Sequence, residues 1–210
     1  MQTTSDVKSL FAAEKKLTFF LLCLATFLLL YIKKAFIESE TAAFLFLEDR
    51  PEGGILQLLT AIQFLSIPLV YLWKFTVIAF VIWVGSFMFG YRITYSQCWG
   101  LVIVCEFTFL LPELVKIFWF MFIETDPRLS DVNAFYPLSL MSFFDYYEID
   151  KRYVYPLKAL NVFEVAYWFL LVEGVHHFAR KKRQVAWIIV SCSYILIFFL
   201  WLWFYVVVYK

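Results

Sequence analysis

Apolar residues run in long blocks along this chain, and most charges collect between the blocks. The blocks lie at about residues 17–36, 55–91, 97–123, 161–179 and 185–209. About 20 apolar residues span the hydrocarbon of a bilayer as a helix, so four of the blocks each predict one crossing. Block 55–91 needs a closer count. Two complete crossings require roughly 40 residues plus a turn, and the stretch from Gly54 to Gly90 has no turn, only Lys74 between Trp73 and Phe75. The pattern predicts a single crossing over 74–91. A segment at 55–72, marked by Gln57, Thr60, Gln63, Ser66 and Pro68, is predicted to lie in or dip into the interface. The expected fold is an all-α, polytopic integral membrane helical bundle with five transmembrane helices (17–36, 74–91, 97–123, 161–179 and 185–209) and a single domain.

The connection 124–160 mixes Asp126, Asp131, Asp145, Glu148 and Asp150 with seven Phe and Tyr residues from Tyr136 to Tyr155. A loop this aromatic is predicted to lie along the membrane surface as short amphipathic helices broken at Pro127, Pro137 and Pro156. Composition agrees: 63% of residues are hydrophobic and 22% aromatic, far more than in a soluble domain. A net charge of +1 and the lack of a basic tract interleaved with aromatics exclude nucleic acid as a partner. Cys23, Cys98, Cys105 and Cys192 fall in or beside apolar blocks without paired spacing and read as small hydrophobes.

Basic residues set the orientation. Lys8, Lys15, Lys16, Arg92 and the run Arg180, Lys181, Lys182, Arg183 fall in short segments on one side of the five-crossing scheme. Segments 33–54 and 124–160 hold a similar number of Lys and Arg over about twice the length, which predicts a cytoplasmic N-terminus and a C-terminus on the opposite side. In a bacterium this would be the inner membrane. Lys33 and Lys34 end the first block where a signal peptide would carry small residues, so an uncleaved signal anchor is expected. Trp99 and Trp187 fall at inner span ends, and Trp119, Trp201 and Trp203 at outer ends, as an aromatic belt.

Charges inside the blocks are the candidate chemistry. Glu106, Glu113 and Lys116 fall on one side of the third span, with Pro112 beside Glu113. Counting depth along antiparallel helices pairs Lys116 with Glu164 and sets Glu106 level with Glu173, giving a polar seam between the third and fourth spans. Buried carboxylates of this kind serve either as a proton or cation pathway or as polar contacts that fix helix packing in lipid. Their small number, and the lack of broken helices in two related halves, favour packing. Glu173, His176 and His177 have the E-x-x-H spacing of carboxylate metal sites, but such a bundle needs the motif twice and this chain has no other histidine. Two histidines there also complement a helix C-terminus. The run Arg180 to Arg183 is expected to contact anionic headgroups. No G-x-S-x-G, H-E-x-x-H or P-loop pattern is present, so no enzyme and no cofactor are expected.

Three stretches carry a family resemblance. They are Trp99 to Trp119 with Leu111-Pro112-Glu113-Leu114; Tyr136-Pro137-Leu138-Ser139-Leu140; and Leu160-Asn161-Val162-Phe163-Glu164 with Trp168, followed by Glu173-Gly174-Val175 and the basic turn. In this order, over roughly two-thirds of the chain, they resemble the Yip family, five-helix membrane proteins named for interacting with Ypt/Rab GTPases, and especially its bacterial-type branch. The resemblance implies the five-helix fold and a role in organising or trafficking membrane components. It does not carry over GTPase binding, because the long acidic and aromatic N-terminal segment of the eukaryotic members has no counterpart in residues 1–16. The expected function is a non-enzymatic integral membrane protein acting through helix and partner contacts, with membrane lipids and other membrane proteins or a second copy as partners. The rival is a small transporter, channel or proton-coupled subunit using Glu106, Glu113, Lys116, Glu164 and Glu173.

Overall fold

The computed structural model describes residues 14–38, 53–124, 129–179 and 182–209. Helix α1 (Lys15–Lys33) continues into a π-helical turn, Lys34–Glu38. Helix α2 is Gly53–Met88; α3 (Tyr95–Glu106) and α4 (Leu110–Phe122) are joined by a 3-10 turn, Phe107–Phe109. Short helices α5 (Leu129–Ala134) and α6 (Lys151–Ala159) precede α7 (Val162–Ala179). Helices α8 (Arg183–Val190) and α9 (Leu196–Val208) are linked by a π-helical turn, Ser191–Ile195. Among the described residues the only β pairing is an isolated bridge between Ser139 and Asn161.

Among the described residues, three helical stretches are long and apolar enough to cross a membrane: Lys15–Ile37, Leu58–Met88 and Arg183–Val208. The other two predicted crossings are helical too, but neither is one long apolar rod. The third is interrupted before Pro112, whose ring lacks an N–H for the carbonyl of Thr108 and would crowd it, so the chain tightens into the 3-10 turn and restarts as α4. The fourth, α7, carries Glu164, Glu173, His176 and His177 among its apolar residues.

Block 55–91 differs from expectation. It is one continuous helix through Pro68 and Lys74, not an interfacial segment followed by a separate crossing. The reason is where Lys74 goes: its ammonium turns inward onto Glu106 rather than marking a border with water. In 124–160 the short helices form as expected, yet Pro156 lies inside α6 and does not break it. Pro127 lies outside the described residues.

Local sequence sets the turn between α2 and α3. Gly90, at φ 74°, closes α2: its N–H donates to Phe87 O and that of Tyr91 donates to Ser86 O, the two bonds of a Schellman cap. Thr94 then opens α3 through a reciprocal capping box with Gln97. The core forms where α1, α2, α3, α7 and α8 meet, around Leu22, Phe75, Ile82, Leu101, Leu171 and Ile189. Two glycines permit close helix contacts. A Cβ on Gly174 would fall 1.9 Å from Leu101 Cδ1, and one on Gly85 would fall 2.7 Å from Ser193 Cβ. The outer surface is largely apolar, with Leu65, Trp73, Phe87, Phe122 and Trp203 more than half exposed. In water this would be an extended aggregation-prone face.

Candidate functional site

Four helices, α1 to α4, turn mixed polar and apolar stripes toward one central cavity of about 510 Å³. From α2 come Gln63, Ser66, Ile67, Val70, Tyr71 and Lys74, at successive steps of three, one, three, one and three. From α3 and α4 come Glu106, Phe109, Leu110 and Glu113; from α1, Thr26, Leu29, Leu30 and Lys33. Tyr136 completes the wall. Thr26 and Lys33 lie seven residues apart on α1, so the cavity runs roughly 10 Å along the bundle.

Its inner end is a hydrogen-bonded floor. Lys74 Nζ lies 2.5 Å from Glu106 Oε1 and 4.6 Å from the centre of the Phe109 ring. Beside it the Thr26 and Tyr71 hydroxyls are 2.8 Å apart; since Thr26 already donates to Leu22 O, Tyr71 is the donor between them. Beyond this floor, Leu22, Phe75, Ile78 and Val102 are buried against one another, with Phe19 and Trp99 packed on Phe75. The cavity lining stops at Lys74 and Glu106, and buried apolar core continues toward the start of α1.

Lysines gather toward the opposite end. Lys33 lines the cavity, Lys34 donates to Thr60 Oγ1 at 3.0 Å, and Lys158, which donates to Asn133 O, lies near Lys33. Burial, with Lys33 nearby, holds the Lys158 ammonium below its usual range. Tyr136 shifts the other way. Burial pushes its phenol up, and the carboxylates of Glu113, Glu164 and Glu106 push it further, so near neutral pH it remains a proton donor.

A second cavity, about 480 Å³, lies between residues 138–143 and the start of α7. Asn161 holds this joint: its Nδ2 donates to Lys158 O and Ala159 O, and its Oδ1 accepts from the Glu164 N–H at 2.8 Å. Glu164, 6% exposed, accepts on Oε1 from both Trp168 Nε1 and Tyr194 OH, each at 2.9 Å. Aromatic rings separate the two cavities. Phe109 packs on Tyr167 at 5.0 Å and Tyr167 on Tyr194 at 5.4 Å, and the buried Tyr167 hydroxyl has no partner.

The expected seam is thus rearranged. Glu106 and Glu113 do share one face, and both meet the central cavity. Lys116 is buried and donates to Phe135 O at 3.1 Å, so the expected pair with Glu164 does not form; Glu164 is held by its own helix and by Tyr194. Nor does Glu106 meet Glu173. Glu173 Oε2 is 3.2 Å from Arg183 Nε, in a half-exposed ion pair without hydrogen-bond geometry and of small energetic value.

Glu173, His176 and His177 do not assemble a metal centre: among the described residues no three His, Cys, Asp or Glu side chains come together. His177 packs on the Phe178 ring, and His176 Nδ1 is buried without a partner. Lys182 and Arg183 are exposed at the start of α8, while Arg180 and Lys181 lie outside the described residues. Sequence reasoning missed Lys74, although the regular spacing from Gln63 to Lys74 was the signal for it. No protein-family model, curated protein or solved structure matches this chain.

Proposed function

We propose that this is a non-enzymatic integral membrane protein of five crossings that holds the polar part of a membrane component in its central cavity. Support for the crossings begins with the three long apolar helices and the apolar outer face. The 18 residues of α7 extend roughly 27 Å, close to the hydrocarbon thickness of about 30 Å. Helices α3 and α4 together exceed that length. The chain ends are proposed on opposite sides, with the N-terminus cytoplasmic. Lys15 donates to Ser96 near the exposed Arg92, and the contact of Gly174 with Leu101 brings the α7–α8 turn to the same end, so the basic segments gather there.

The single observation that carries the role is a cavity of mixed polar and apolar lining whose polar groups stop partway along the bundle. A channel or pore needs a polar path through the bundle, whereas the lining here stops at Lys74 and Glu106, and Leu22, Phe75 and Val102, the next positions on the same helices, are buried in apolar core. Holding requires no continuous polar path. The membrane-organising role implied by the Yip resemblance agrees with such a function, and no GTPase is proposed as partner.

The test is mass spectrometry of lipids and small molecules extracted from the purified parent and from Ser66→Trp, which fills the cavity. The parent is expected to carry a component that the variant lacks; identical extracts would overturn the holding role. A carrier is the second reading, favoured by one observation: Glu106 Oε2 is buried without a partner, so a proton could be held there. A proton or cation flux in proteoliposomes that disappears in Glu106→Gln would replace holding by carriage.

A further inference from the structure

We propose that the second cavity, between residues 138–143 and α7, binds a primary ammonium group carried on an apolar tail. The site is separate from the central cavity and does not depend on the role given to it. Its one ionisable wall residue is Glu164, and the remaining wall is mainly apolar, including Leu140, Phe143, Leu160 and Val165. About 480 Å³ is ample for a chain of eight carbons or so.

The argument turns on the two oxygens of that carboxylate. Oε1 accepts both available donors, the indole N–H of Trp168 and the hydroxyl of Tyr194. Oε2 has no protein donor, and it is not among the sealed, unpartnered polar atoms of the interior. Glu164 lines the cavity with Oε1 already occupied, so Oε2 is the oxygen left to meet a ligand there, while the two bonds to Oε1 fix the plane of the group. Among the described residues the ion pairs are Lys74 with Glu106, Arg152 with Asp150 and Arg183 with Glu173, so no cation lies at ion-pair distance from Glu164; Lys74 acts on it only from farther off. A pre-oriented carboxylate oxygen in an apolar cavity is complementary to a charged N–H donor whose other end is hydrocarbon. A neutral alcohol supplies the tail without the charge, and a fatty acid supplies a repelling charge.

The ammonium has two sources, a free alkylamine or the headgroup of an aminophospholipid. The experiment starts with the full chain in a non-ionic maltoside detergent, which contains no amine. Thermal unfolding is followed against octylammonium, octan-1-ol and octanoate. Octylammonium is expected to raise the unfolding temperature saturably and the other two are not. Glu164→Gln keeps an acceptor for Trp168 and Tyr194 and is expected to weaken octylammonium by at least about tenfold, the loss of one charge-assisted bond.

Val165→Phe fills the cavity from its exposed wall and is expected to weaken binding similarly, which keeps the test intact if Glu164→Gln does not fold. Equal effects of octanol and octylammonium, or unchanged affinity in the variants that fold, would overturn the proposal. Nanodiscs of phosphatidylglycerol with and without phosphatidylethanolamine then separate the sources. Competition by the phosphatidylethanolamine marks the headgroup as occupant, and unchanged affinity marks a free amine.

Discussion

Lys74 and Glu106 meet at 2.5 Å, yet they are buried to very different degrees, 37% exposed for the lysine and 2% for the glutamate. The asymmetry makes the two halves of the pair unequal. Removing the ammonium leaves a carboxylate in the interior, with Oε2 already lacking a partner. Removing the carboxylate leaves an ammonium that still reaches the polar cavity. Lys74→Met is therefore expected to cost about 3 kcal/mol or more, as for breaking a buried pair on its cheaper-to-solvate side. Glu106→Gln, which keeps an acceptor for Lys74, should cost only about 1–2 kcal/mol. Equilibrium unfolding in detergent measures both, and a reversed order would remove this account of the floor.

Gly174 and Leu101 give a second test, now of helix packing. An alanine methyl at position 174 would overlap the Leu101 side chain, which is 1% exposed and has little room to turn away. Overpacking of this kind costs about 1–3 kcal/mol, against which the better helix propensity of alanine returns up to about 1 kcal/mol. Gly174→Ala is expected to be destabilised overall. Leu101→Ala alone leaves a cavity and costs about 2–5 kcal/mol, but in the double variant the new methyl occupies part of that space. The double variant should be more stable than the sum predicts by about 0.5 kcal/mol or more. Strict additivity in thermal unfolding would mean that α3 and α7 do not touch at this point.

The helices were legible because apolar blocks are a local signal. The caps at Gly90 and at Thr94 with Gln97, and the interruption before Pro112, are local too, but the block pattern does not mark them. The polar interior was legible only in part. Glu106 and Glu113 could be assigned to one face because spacing along a single helix is sufficient for that. Their partners could not be assigned by depth. Lys74 looked like a border with water, since its charge is stabilised by a residue on another helix. Glu164 looked available to Lys116, but its donors are Trp168, one turn along the same helix, and Tyr194, which the π-helical turn Ser191–Ile195 carries into reach. The first of these was readable from an i, i+4 spacing; the second depends on an irregular turn with no simple sequence mark.

Asp150 supplies a pH dependence away from the apolar helices. It caps α6: its Oδ1 accepts from the Arg152 N–H at 3.2 Å, and its Oδ2 accepts from the guanidinium of the same residue at 2.7 Å. The backbone bond first, and then the side-chain bond, hold its carboxyl below the usual range. A carboxyl lowered in the folded state gives stability that is full above its unfolded pKa and is lost as pH falls through the folded value. The Arg152 amide resonance is therefore expected to keep its capped position at neutral pH and to move only below the ordinary aspartate range. In Asp150→Asn, which caps without titrating, that movement should vanish. A parent titration at or above the ordinary range would contradict the capping geometry.

The number of crossings can be read at two positions, Arg92 and Ser142. Tagging the chain ends would not discriminate, because three crossings and five both leave the ends on opposite sides. The difference lies in the segment between α4 and α7. If only the stretches Lys15–Ile37, Leu58–Met88 and Arg183–Val208 cross, residues 92 and 142 face the same side. If α3 with α4 and then α7 also cross, residue 142 faces the side opposite residue 92. Both residues are exposed, so Arg92→Cys and Ser142→Cys can be probed with a membrane-impermeant thiol reagent on intact cells, with the parent as background for its own four cysteines. Five crossings with a cytoplasmic N-terminus predict that the cysteine at position 142 is labelled from outside and that the one at 92 is labelled only after the membrane is opened. Protection of both positions in intact cells would reduce the bundle to three crossings, with α3, α4 and α7 packed on one side of the membrane.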